Sequence, residues 1–275
     1  MLLLERFNIV KRPVKSESRL GWFPYDANVA GGALVGLGMA LSGACPGTVL
    51  VQLAQGIPSA NATALGALLG AGTYVLTRQS LKKELVRQGN AEPSARKSTI
   101  AEALRIPEAL LYSMFGLLIV TILRFTSANV GRAITLPIVG GLLIGSAQVL
   151  SLLLTSSPLG VSTAYEHLSS HVLQALSGNR SKPGLLSKPI IFSMGVIAGS
   201  FFLLQQQPAT SLTMTDAAIP SWQAFIGGIA LLYGARLGGG CTSGHGLSGL
   251  SAMSFSSLIT VTCMFGVGIL TRMLI

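Results

Sequence analysis

Residues 31–45 read GGALVGLGMALSGAC, and residues 227–241 read GGIALLYGARLGGGC. At a constant offset of 196, Gly31, Gly32, Gly38, Leu41, Gly43 and Cys45 coincide with Gly227, Gly228, Gly234, Leu237, Gly239 and Cys241. Each unit is an apolar, glycine-laced helix, a cysteine, a short segment rich in small residues, and a second apolar helix. Small residues at helical spacing let helices approach closely where lipid supplies no hydrophobic driving force between them. A weaker copy without the cysteine begins at Gly140–Gly141.

Working outward, the composition agrees with a membrane protein. Of the 275 residues, 50% are hydrophobic and 10% charged, with a mean hydropathy of +0.63. An average soluble domain is about 25% charged. A soluble enzyme, a disordered chain and a coiled coil are excluded. Three cysteines, Cys45, Cys241 and Cys263, make no disulfide framework. The formal net charge of +10 is carried mostly between apolar segments, a mark of membrane topology and not of nucleic-acid binding.

A crossing needs about 20 mostly apolar residues. Seven are expected, near 28–44, 61–77, 107–125, 133–154, 190–206, 221–240 and 255–272. Segments 45–57 and 241–252 are too short and too rich in Gly, Pro, Ser and Thr to cross alone. They are expected to be re-entrant or broken, which is tolerated at membrane depth only inside protein or beside a polar cavity. Residues 156–177 are amphipathic and short, and expected to be interfacial or half-inserted.

Lys and Arg crowd the N-terminal 20 residues, the loop 78–105 and the loop 178–189, whereas 207–220 has neither. The first three are therefore expected inside, in the cytoplasm, and the last outside. Helices 28–44 and 221–240 would then run in opposite directions, and the two cysteine-bearing breaks would enter from opposite faces. The fold class expected is an all-α polytopic membrane protein with inverted repeats, whose substrate site lies near the midplane. Its organisation is a cytoplasmic segment 1–27 and one transport domain 28–275. The repeat halves are about 28–78 and 107–275, joined by a long polar, basic, mobile loop over 78–106. A plasma or inner membrane is expected.

The two breaks carry the candidate chemistry, GACPGT at 43–48 and GGCTSGHG at 239–246. Helix ends expose N–H groups that hold an anion without fixed charge. Thr48, Thr242 and Ser243 add hydroxyl donors, and Cys45 and Cys241 add polarizable sulfurs with weak S–H donors. Gly43, Gly47, Gly240, Gly244 and Gly246 bring backbone close to a ligand. The set suits a small, soft anion, in particular one containing sulphur. His245 is expected to line this pocket or donate a hydrogen bond. Cys241 and His245 are too few for a closed zinc site. Arg236, inside an apolar helix, is expected to attract an anion or to snorkel. Glu166 is expected to be solvated, Asp26 to cap the first helix, and Cys263 to pack. His245 and Ser248 in GHGLSG have the residue types of a protease base and nucleophile. No nucleotide-binding or cofactor motif is present.

The pair of motifs, with 141–166, resembles the YeeE/YedE sulphur-transport family of permeases, over most of 28–272. The resemblance implies uptake of thiosulfate or a related sulphur compound, with motif cysteines lining a narrow path and touching substrate through S–H hydrogen bonds. The matching positions are Cys45 and Cys241. A rival reading is a membrane-embedded sulphur relay, with the same cysteines carrying persulfide to a soluble sulfurtransferase.

Overall fold

A computed structural model describes residues 14–15, 20, 23–87, 99–130, 135–155, 160–177, 187–206 and 219–275. Among them there is no β-strand, and nearly everything is helical. The order is α1 (Asp26–Ser42), α2 (Pro46–Ala54), α3 (Pro58–Arg87), α4 (Ile100–Leu104), α5 (Glu108–Val130), α6 (Thr135–Thr155), α7 (Ser162–Ser177), α8 (Lys188–Gln206) and α9 (Ser221–Leu237). A π-helical segment (Thr242–Gly249) and α10 (Phe255–Leu274) follow.

Among the described residues, three stretches are long and apolar enough to span a bilayer: Asp26–Ala54, Lys188–Gln205 and Phe255–Leu274. Ser221–Leu237 together with Thr242–Gly249, bent by 45°, makes a fourth. Shorter apolar helices occupy Ala109–Thr121 and Ile138–Leu154. Outward-facing leucines such as Leu142, Leu154 and Leu203 are exposed, as lipid contact requires. This is a helical membrane protein.

The two motif-bearing helices pack against each other antiparallel. A Cβ on Gly38 would lie 2.6 Å from Leu231 N, and one on Gly227 would lie 2.9 Å from Ser42 N. At the other end, a Cβ on Gly31 would fall 2.6 Å from Gly238 Cα. Each first helix also packs on the last helix of the other unit. Gly32 of α1 meets Thr260 of α10, with 2.6 Å between its would-be Cβ and Thr260 O. Gly228 of α9 meets Thr63 and Ala67 of α3. No side chain fits at these crossings, which is why the ladder consists of glycine. The third copy behaves differently: a Cβ on Gly140 or Gly141 of α6 would meet nothing within 4 Å among the described residues. Its glycines therefore do not form such a crossing.

Two expectations are corrected. Asp26 is not the cap of α1. Tyr25, in the left-handed region at φ 69°, precedes the helix, and Asp26 Oδ1 accepts the N–H groups of Leu20 and Ala27. The loop over 78–106 is ordered at both ends, because the breakers Gly89–Asn90 come only after Arg87. Helix α3 continues to Arg87, and Thr99 and Glu102 form a reciprocal capping box on α4. Ile100 N then donates to Met253 O at 2.8 Å. Residues 88–98 lie outside the described residues.

Candidate functional site: two cysteine-capped helix breaks around Tyr165

Both breaks are built in the same way. Helix α1 ends at Gly43 with φ 65°, and α9 is followed by Gly239 with φ 81°. Glycine adopts this left-handed backbone without steric cost, and the chain reverses. Two residues on, Cys45 and Cys241 stand in extended conformation at φ −101° and −100°, each heading the next helical segment.

Cys45 caps α2 with its sulfur. Thr48 N donates to Cys45 Sγ at 3.4 Å, Cys45 N donates to Thr48 Oγ1 at 2.7 Å, and Pro46 occupies the first turn. This is a capping box with a thiol in place of the usual hydroxyl. The Thr48 hydroxyl lies 3.4 Å from the same sulfur, and Thr48 itself is exposed. A Cβ on Gly47 would come 3.9 Å from both Cys45 Sγ and Val161 Cγ2. The Cys45 thiol therefore faces the start of α7.

Cys241 is only 1% exposed. The Ser243 hydroxyl lies 3.1 Å from its sulfur. Unlike Cys45, Cys241 makes no capping hydrogen bond with its side chain to the helical segment it heads. Ser162, the first residue of α7, lies within electrostatic range of the same sulfur from the other side. Thr242 is half-buried, and Gly246 opens outward with nothing within 4 Å of a would-be Cβ.

Tyr165 joins the two sites. It is 6% exposed, and its hydroxyl donates to Pro46 O at 3.2 Å. Both thiols lie within electrostatic range of that hydroxyl. Tyr165, Val161, Ala44 and Cys241 belong to one buried cluster with Val49, Leu231 and Ala235. A cavity of about 150 Å³ borders Tyr165, lined by Leu50, Ala164, Leu168 and residues of α8.

The remaining candidates do other work. His245 is 1% exposed, and both ring nitrogens are engaged. Nε2 lies 3.0 Å from Gly238 O and Nδ1 2.8 Å from Ser257 Oγ. A carbonyl only accepts, so Nε2 carries the proton and Nδ1 accepts from the serine. His245 thus ties the end of α9 to α10, with its ring against Gly240. The His245–Ser248 pairing is not assembled. Ser248 is fully buried and accepts from Gln148 Nε2 at 3.1 Å, while the imidazole binds Ser257.

Arg236 is not a free cation. Its guanidinium pairs with Glu166 through Nη2 and Oε2, and the other Glu166 oxygen is 3.4 Å from Arg78 Nη1. Glu166, expected in water, is 14% exposed because α7 lies against α3 and α9. Cys263 packs beside Gly32, whose would-be Cβ falls 3.2 Å from its Cβ. Among the described residues there is no cluster of three or more metal-ligating side chains.

Sequence reasoning missed Ser162, Tyr165 and Lys15. The first two lie in a segment whose amphipathic pattern marked it as surface. Lys15 lay in a basic stretch that topology alone explains. Its ammonium donates to Gly239 O at 3.2 Å, and its carbonyl accepts from the hydroxyls of Ser254 and Ser256.

A helical membrane protein with apolar spans and paired helix breaks belongs to the architectural class of transporters. Comparison with known proteins narrows this. The chain belongs to the sulphur transport family, whose profile matches residues 1–271. It is also similar to a protein named "Probable transporter" in Xylella fastidiosa, strains Temecula1 and 9a5c. The identity is 29% over 126 residues, which is 45% of this chain and 81% of each relative.

Proposed function

We propose that this protein is a permease for a small sulphur-containing anion, thiosulfate foremost, passed between the Cys45 and Cys241 sites. The observation that carries this reading is the convergence of two equivalent cysteine-headed breaks, one from each repeat, on Tyr165. The antiparallel crossing of α1 and α9 supports halves that are inverted in the bilayer, about 28–78 and 107–275. The reading includes seven crossings and a cytoplasmic N-terminus in the plasma or inner membrane.

Thiols, hydroxyls and backbone N–H groups replace part of the anion's hydration. Each is weak, and conduction requires binding loose enough to release. Tyr165 and Val161 are buried in the same cluster as Cys241, and in this reading movement of α7 opens the path. Ser162 and Gly244 add donors at Cys241. Thr48 and Gly47 form the facing edge at Cys45, with Gly43 setting the turn before it.

The test is uptake of radiolabelled thiosulfate into liposomes holding the purified protein. Wild type accumulates label, and Cys45→Ala and Cys241→Ala each abolish accumulation while remaining folded. Uptake at wild-type rates in both variants removes the proposal. The buried Cys241, with the Ser243 hydroxyl 3.1 Å from its sulfur, favours a second reading, in which it carries sulphur to a soluble sulfurtransferase. That reading predicts no uptake by the protein alone and sulphur transfer only with the soluble partner present.

A further inference from the structure

Lys15 comes from a part of the chain far from both motifs, yet its ammonium reaches the Cys241 break. Nζ lies 3.2 Å from Gly239 O. It is 3.5 Å from where a Cβ on Gly240 would stand and 3.8 Å from one on Gly244. Among the described residues outside its own helical turn, that nitrogen is the one heavy atom within 4 Å of a Cβ on Gly244, so the ammonium faces the start of the π-helical segment with no described side chain between them. Two serine hydroxyls hold the Lys15 carbonyl, at 3.0 Å from Ser254 and 3.1 Å from Ser256. The backbone is therefore fixed independently of the side-chain charge.

The charge is not matched locally. Among the described residues Lys15 has no carboxylate partner, and Cys241 and Arg236 lie within electrostatic range of its ammonium. Glu166 is already shared by Arg236 and Arg78. An ammonium donates three hydrogen bonds, and here Gly239 O takes one. Burial lowers the Lys15 pKa below the ordinary lysine value. A bound anion beside it reverses that cost.

We propose that Lys15 is an anion-binding residue at the Cys241 end of the passage, where its ammonium and the Gly244–Ser243 edge together hold a doubly charged sulphur oxyanion. This rests on the permease reading and deepens it. Cysteine and backbone donors select a soft anion, and Lys15 supplies the fixed charge that retains a divalent one at the cytoplasmic mouth. Sulphate, similar in charge and size but harder, is held by the same lysine and discriminated at the thiols.

The experiment measures equilibrium binding of thiosulfate to the full-length protein in detergent, for wild type, Lys15→Gln, Lys15→Met and Lys15→Arg. Gln keeps a donor for Gly239 O and removes the charge. A charge-assisted hydrogen bond corresponds to roughly 10- to 100-fold in affinity. Lys15→Gln and Lys15→Met should weaken binding by that factor, and Lys15→Arg should restore most of it. The wild-type dissociation constant should rise with salt more steeply than that of Lys15→Gln. Equal affinities in wild type, Lys15→Gln and Lys15→Met overturn the assignment, as does wild type that binds no thiosulfate. Loss of binding in Lys15→Gln alongside wild-type protein that binds but moves no label into liposomes keeps the Lys15 site and removes the permease. Normal uptake that needs Cys241 but has an unchanged KM in Lys15→Gln does the reverse.

Discussion

Replacing Glu166 by Gln should destabilise the protein, and replacing Arg236 as well should restore much of the loss. The two side chains are 14% and 17% exposed and are paired directly. Removing one partner of a fully buried ion pair costs about 3–5 kcal/mol, because the other charge is left desolvated. The rim here is wetter, and Arg78, 64% exposed, continues to offer Glu166 a solvent-screened partner. For Arg236 left alone the estimate is therefore about 2 kcal/mol, or roughly 4–8 °C in melting temperature for a chain of this size. Arg78→Gln should cost less than about 0.5 kcal/mol. The assay is thermal unfolding in detergent of wild type, Glu166→Gln, Arg236→Gln and the double variant, read as a cycle. The coupling energy should be about 2 kcal/mol. Uptake is measured on the same four proteins. If the pair serves to hold α7 against α9, the double variant regains uptake with its stability. Single variants as stable as wild type, or losses that simply add, would refute this account of Arg236.

Other consequences follow from the packing and the hydrogen bonds. Gly38→Ala should abolish folded expression, since its Cβ would stand 2.6 Å from Leu231 N, whereas Gly141→Ala should change the melting temperature negligibly; fluorescence-detected size exclusion separates the two. His245→Ala should cost about 1–3 kcal/mol by leaving the Ser257 hydroxyl without its buried partner, while Gly238 O keeps the Asn28 amide, seen as a lowered melting temperature. Tyr165→Phe should lose about 1 kcal/mol of stability with its bond to Pro46 O, and Tyr165→Ala should raise basal leak of labelled anion from liposomes by opening the space between the two thiols.

Much of the fold was readable in the chain because its signals are local. The glycine ladder repeats at helical spacing, so which faces must approach closely is already written at Gly31, Gly38, Gly227 and Gly234. The reversals at Gly43 and Gly239, each two residues before a cysteine, follow from glycine's tolerance of positive φ. The loop over 78–106 was misjudged where a capping box, Thr99 with Glu102, was overlooked beneath its polar composition.

The candidate site was legible only in halves. Cys45, Thr48, Cys241 and Ser243 stand in their motifs, but no local rule says what lies between them. That was decided when α7 packed beside α3 and α9, bringing Ser162 near Cys241 and Tyr165 within electrostatic range of both thiols. The same packing turned Glu166 from a surface carboxylate into the partner of Arg236, and tertiary structure alone set Lys15 beside Gly239. These contacts join residues up to 241 positions apart. Such distances are set by how helices stack, and periodicity along a single helix carries no record of them.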